Sequence, residues 1–175
     1  MAGGPGNNTR DGWPGRDADQ AVAALYDEHY RSLVRIAALL TGEGAVAEEI
    51  VQDAFACARH SWRFLPGRDK ALGDLRRAVV TMARSRSVAS PAPPGHPGGL
   101  PAAGRTAAGP RGALIMAALT RLPARQREAL VLRYYAQWPD PQIAAAMGIS
   151  GHALNAHARR GMSALRACLA RGCRD

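Results

Sequence analysis

The chain has 175 residues, a formal net charge of +9 and a pI near 10.7. A balance that basic points to a polyanionic partner without choosing between nucleic acid and a membrane surface. No apolar run reaches the roughly 18–20 residues that a membrane span needs, and the opening segment MAGGPGNNTRDGWPGRD has no apolar stretch of the kind a signal peptide carries, so the expected location is the cytoplasm.

Residues 1–20 are rich in Gly, Pro, Asn and Asp, have little to bury, and read as a disordered tail. A helical period begins at Ala21. Val22, Leu25, Tyr26, His29, Leu33, Ile36, Ala37 and Leu40 recur at i, i+3, i+4 spacing, one stripe on one helix. Thr41-Gly42-Glu43-Gly44 breaks it. A second helix is predicted over 45–63, with Val46, Ile50, Ala54, Cys57, Ala58 and Trp62 inward, and Leu65-Pro66-Gly67 ends that segment. A third helix is predicted over 71–86, with Leu72, Leu75, Val79, Met82 and Ala83 inward. Three such helices can share one small core, giving a first domain over 21–90.

Residues 91–110 carry six prolines, five glycines and one charge, the composition of a flexible linker. Extended at about 3.1 Å per residue it spans roughly 60 Å, so the flanking domains need not touch. The second domain, 111–172, opens with a short helix over 114–121. Pro123 restarts the chain, and Leu130, Val131, Tyr134 and Tyr135 continue an apolar period that Pro139-Asp140-Pro141 breaks. Two helices follow, at 142–147 and 151–170. No strand signal appears. The predicted fold is all-α: two small helical domains, a flexible Pro/Gly-rich linker and a C-terminal helix-turn-helix.

That motif spans about 140–160 and rests on spacing. Ile143 and Met147 are apolar on its first helix, and Ala144 is small where two helices cross. Gly148 supplies a left-handed turn, Ser150 caps the next helix, and Leu154 is the aliphatic side chain that helix must bury. Its exposed face carries Ser150, Gly151, His152, Asn155, Arg159 and Arg160. In such motifs the N-terminal residues of the second helix reach base edges in the major groove; Asn suits adenine, and Arg suits guanine or a phosphate. A helical hairpin that packs or binds protein has the same apolar spacing. Charge favours DNA: from Arg111 to Asp175 there are ten arginines against Glu128, Asp140 and Asp175. Lys70 is the one lysine in the chain. A GC-rich coding sequence accounts for that excess of arginine, whose planar fork suits phosphates and guanine edges in either case. His157 reads as a packing or phosphate-contacting residue.

Cys57, Cys168 and Cys173 form no CxxC pair. Cys57 is expected in the core, and no metal site is expected. There is no Gly-rich phosphate loop and no nucleophile with a base nearby in sequence. His29, His60, His96, His152 and His157 share no spacing. No catalytic residue, cofactor or small-molecule substrate is expected, and the chain is not read as an enzyme.

LPARQREALVLRYYAQWPDPQIAAAMGIS, Leu122–Ser150, resembles region 4 of bacterial RNA polymerase sigma factors. LYDEHYRSLVRIAALLTGEGAVAEEIVQDAFACARHSW, Leu25–Trp62, resembles region 2, most specifically at Ala47–Phe55. The small size and missing middle region resemble the extracytoplasmic-function group, in particular a SigE-like branch common in actinobacteria. The resemblance implies core RNA polymerase and promoter DNA as partners, with an anti-sigma factor as a further candidate. Glu48, Glu49, Gln52 and Asp53 read on their own as a solvated helix face. By resemblance they dock on the polymerase clamp helices, with Phe55 anchoring nearby. Arg76, Arg77, Thr81, Arg84 and Arg86, on or near the third helix, would with the loop at 64–73 engage the minus-ten element and capture an unstacked base. The second helix of the helix-turn-helix would read the minus-thirty-five element.

The chain departs from the family's usual residues at Asp74, Thr81, His152 and Asn155. Three functions are therefore weighed: an alternative sigma factor, a degenerate sigma-like regulator that does not direct initiation, and a stand-alone helix-turn-helix repressor.

Overall fold

The computed structural model describes residues 15–61, 67–89 and 109–172. Among them every regular element is helical: α1 (Gly15–Thr41), α2 (Gly44–Ser61), α3 (Arg68–Ala89), α4 (Gly109–Thr120), α5 (Ala124–Leu130), a π-helical turn (Val131–Tyr135), α6 (Asp140–Met147) and α7 (Gly151–Gly172). The fold is all-α, as expected. Helix α1 starts inside the predicted tail and α4 takes up the last two linker positions, Gly109 and Pro110. Residues 91–108, Trp62 and the loop residues before Gly67 lie outside the described residues.

Helices α1, α2 and α3 pack on one another as a three-helix unit. The α1 stripe is buried at Leu25, Leu33, Ile36, Ala37 and Leu40. The break after it is local chemistry. Gly42 takes φ 87°, a left-handed turn that a side chain resists. Thr41 Oγ1 donates to the Ala37 carbonyl at 2.9 Å and accepts from the Glu43 N–H at 3.2 Å. On α2 the buried stripe is Ala47, Ile50, Val51, Ala54, Phe55 and Ala58. At 100° per residue, Cys57 falls just past one edge of that stripe. It is exposed, contrary to the core position expected for it. Helix α3 buries Ala71, Leu75, Val79, Val80 and Ala83. Fully burying one aliphatic side chain such as Leu75 stabilises by about 1.5–3 kcal/mol.

In the second unit α5 crosses α7 closely, at Gly161. The apolar period that predicts helix through Tyr135 does not hold as an α-helix. The Ala136 N–H bonds the Val131 carbonyl at 2.9 Å, five residues back. This wider turn inserts a residue into the ladder and turns Tyr134 and Tyr135 outward, 57% and 52% exposed. Trp138 closes the segment instead: its N–H bonds the Leu132 carbonyl at 3.1 Å and the residue is buried. Between them Gln137 takes φ 54°.

The two units touch. Helix α3 packs on α6, and α1 packs on α4 and on the π-helical turn. The buried side chains form one continuous apolar cluster from Leu25 to Ala158. Polar clasps seal it: Arg84 on α3 meets Glu128 on α5, and Arg127 donates to the Leu40 carbonyl at 2.7 Å. The composition of 91–110 allows separation, and the faces it connects are complementary enough to close. No helix among the described residues is long and apolar enough to cross a membrane.

Candidate nucleic-acid interface

Helix α6 starts after Pro139, with Pro141 in its first turn, where a missing N–H costs nothing. It ends at Gly148, φ 65° and left-handed. The Ile149 N–H returns to the Ala144 carbonyl at 3.0 Å, closing the C-terminal turn. Ser150 then caps α7: its Oγ accepts from the Ala153 N–H at 3.2 Å. Ile143, Met147 and Leu154 are buried in the angle between the helices. Ile143, Met147, Gly148, Ser150 and Leu154 occupy the places that the motif's spacing requires.

That geometry leaves Ser150, Gly151, His152, Asn155, Arg159 and Arg160 exposed along α7. Arg160 Nε donates to its own helix, to the Ala156 carbonyl at 3.2 Å. Asn155 is held. Arg133 donates to Asn155 Oδ1 at 2.8 Å and forms a two-pronged ion pair with Asp140. Arg133 thus joins the π-helical turn, the start of α6 and the exposed face of α7. Sequence reasoning counted it only as charge; its signal was an arginine seven residues before the acidic residue that opens α6. A cavity of about 330 Å³ beside it is lined by Arg133, Tyr134, Arg159, Met162, Ser163 and Arg166, among others.

The α3 group divides. Arg77 and Thr81 are exposed. Arg76 is half-buried, with its guanidinium 4.9 Å from the Trp138 ring centroid and Nη1 donating to Gln142 Oε1 at 3.0 Å. Burial pulls its pKa below the usual arginine value. Arg84 faces the second unit. Its Nε and Nη2 donate to the two carboxylate oxygens of Glu128 at 2.8 and 2.9 Å. In this conformation both prongs of Arg84 are therefore engaged within the chain. Arg86 lies 3.4 Å from Glu49 and 3.6 Å from Asp53.

Glu48, Glu49, Gln52 and Asp53 are exposed on α2, as one polar stripe. Phe55 is not on that surface. It is 5% exposed and packs edge-on against Tyr26, which itself stacks on Tyr30 at 4.4 Å. Its place on the buried side of α2 makes it a packing residue, apart from the polar stripe. Among the described residues no group of three or more His, Cys, Asp or Glu could hold a metal ion.

Residues 113–165 match the family model "Sigma-70, region 4". Curated relatives called ECF RNA polymerase sigma factor SigL, from the Erdman, CDC 1551 and H37Rv strains of Mycobacterium tuberculosis, are 32% identical over 162 residues, covering 85% of this chain and 88% of theirs. The solved structure of CnrH in complex with the cytosolic domain of CnrY shares the fold, with a TM-score of 0.66 at 23% identity over 88% of this chain and 95% of that one. The chain belongs to the extracytoplasmic-function (ECF) group of RNA polymerase sigma factors.

Proposed function

We propose that this alternative sigma factor binds core polymerase through the α2 stripe (Glu48, Glu49, Gln52, Asp53), contacts the minus-ten element through α3 (Arg76, Arg77, Thr81, Arg84, Arg86), and reads the minus-thirty-five element with Ser150, Gly151, His152, Asn155, Arg159 and Arg160. The observation that carries this reading is the capped, exposed start of α7, where Arg133 fixes Asn155. A base-reading amide is useful only when its orientation is set beforehand. Arg133 takes the amide oxygen, which leaves the amide N–H donors to face DNA. In this reading the first domain is 21–90, the linker 91–110 and the second domain 111–172, which lets the two read separate promoter elements.

The finer placement in a SigE-like branch belongs to the same proposal. The curated relatives carry the name SigL, so they support the group, with the branch resting on the sequence resemblance. CnrH was solved with the cytosolic domain of CnrY. By analogy an anti-sigma factor completes the proposed partner set, beside core polymerase and promoter DNA.

Run-off transcription with purified core polymerase over a genomic template library tests this. Promoter-specific transcripts with shared elements upstream of their starts are expected. Tight core binding with no specific transcript would sink the initiation role. It would favour the second reading, a sigma-like regulator, which the intrachain engagement of Arg76 and Arg84 also supports.

A further inference from the structure

We propose that Glu128 stands in for a nucleic-acid phosphate: it fills the guanidinium fork of Arg84 and, with Trp138 and Gln142 on Arg76, shuts part of the basic face of α3 until a polyanion displaces the second unit. This rests on the reading of α3 as a nucleic-acid contact.

The geometry is that of an anion site already filled. A guanidinium presents two parallel N–H groups that match a carboxylate or a phosphate equally well. Here both are spent on Glu128, at 2.8 and 2.9 Å. Glu128 is 3% exposed and the one buried charged or polar side chain among the described residues. It also lies 3.6 Å from Arg125 Nη1. In a stretch with ten arginines and three acidic residues, one acid is thus placed inside, opposite an α3 arginine. Arg76 is covered in parallel by the Trp138 ring and the Gln142 amide. Arg77 and Thr81 stay exposed on the same helix. The closed form therefore shields two arginines of α3 and leaves a third as a first foothold for nucleic acid.

The clasp is strong in geometry and modest in net worth, which suits a reversible closure. Taking two charges out of water largely cancels their attraction. Arg127, which fastens the other side of the contact, has a buried Nε with no hydrogen-bond partner, and burial lowers its pKa. A strand of phosphates offers Arg76 and Arg84 replacement acceptors, and gains further from counterion release.

The test uses the full chain, a fluorescent mixed-sequence 25-nucleotide single-stranded DNA, anisotropy over a salt series, and X-ray scattering for overall size. Glu128→Gln is expected to enlarge the radius of gyration and to bind about tenfold tighter than wild type, with a salt slope steeper by about 1.4 for the two phosphate contacts that Arg76 and Arg84 gain. Arg84→Ala is expected to open the chain equally and to gain only the Arg76 contact, about half that change in slope. Arg77→Ala in the Glu128→Gln background reports on α3 itself. If it weakens binding while Glu128→Gln alone gains nothing, the clasp idea is overturned and the α3 reading stands. If it has no effect, the α3 reading fails and the proposal with it. Should Glu128→Gln lose its helical circular dichroism, wild type decides: expansion on saturation with the oligonucleotide supports the clasp, and unchanged size overturns it.

Discussion

The Cβ that Gly161 lacks would lie 3.1 Å from the backbone carbonyl oxygen of Gln126 and 3.2 Å from Leu130 Cδ1. This close approach sets the spacing of α5 and α7, and so the seat of the second helix of the helix-turn-helix. Gly→Ala inside a helix normally stabilises by about 1 kcal/mol. Here the carbonyl belongs to the α5 backbone and cannot swing aside. Gly161→Ala is expected to cost about 1 kcal/mol net, from overpacking. Gly151, with open space around its Cβ position, is the control: Gly151→Ala is expected to stabilise by about 0.5 kcal/mol. Urea midpoints of both variants check this, and a stabilised Gly161→Ala would show that the helices part without cost.

Arg127 carries a second prediction. One guanidinium nitrogen donates to Leu40 at the end of α1, and the other to the Thr120 and Leu122 carbonyls at 3.4 and 3.3 Å. Helix C-termini leave carbonyls without intrahelical donors, and this side chain serves two of them. Arg127→Met keeps the stem and deletes the donors. A loss of about 2 kcal/mol is expected, the cost of stranding partly buried acceptors, offset in part because a buried cation goes too. Equilibrium unfolding measures it; a neutral result would mean water replaces the donors.

His29 sets a pH dependence. Burial lowers its pKa from the usual 6.5, Glu28 opposes the shift, and Arg76 and Arg68 reinforce it. The folded state therefore binds the proton less readily than the unfolded chain. Its contribution is fully present above about pH 6.5 and is lost as pH falls through the lower folded value. Stability should decline over that window in wild type and decline less in His29→Gln. Urea midpoints taken from pH 7.5 to 5 measure this, and identical slopes would exclude His29 as the source.

The fold was legible where apolar spacing is regular. Ile143, Met147, Gly148, Ser150 and Leu154 each carry a fixed job in the motif, so spacing alone locates its second helix. Phe55 and Cys57 show the limit: they sit on opposite edges of one helical stripe, where a shift of a few tens of degrees decides burial. Tyr134 and Tyr135 continue the apolar period yet face outward, because a π-helical turn has no periodic signature. The engagement of Arg84 by Glu128 was hidden for a different reason. The two are 44 residues apart across the linker, and complementarity between separate units leaves no local pattern.

Arg159 tests the proposed DNA-reading role of α7. It is exposed on α7 and shares a cavity rim with Arg166, two turns further on. A phosphate contact on duplex DNA contributes about 0.9 to the slope of log affinity against log salt. Arg159→Ala is expected to lower that slope by about 1 and to weaken binding evenly across sequences. An unchanged slope would place Arg159 toward protein or solvent.

The polar stripe on α2, proposed to face the polymerase, gives the last prediction. Gln52 and Asp53 are exposed on α2, and Asp53 lies within 3.6 Å of Arg86 on α3. Exposed pairs of this kind add little stability, about 0–1 kcal/mol, so replacing both residues should leave the fold intact. It should still weaken a docking surface built from polar contacts. Gln52→Ala with Asp53→Ala is therefore expected to keep the wild-type melting profile and lose most capture by immobilised core polymerase. A repressor acting alone would be indifferent to the change. Undiminished capture would move the polymerase contact elsewhere on the first domain, and a collapsed melting profile would show that the stripe is structural.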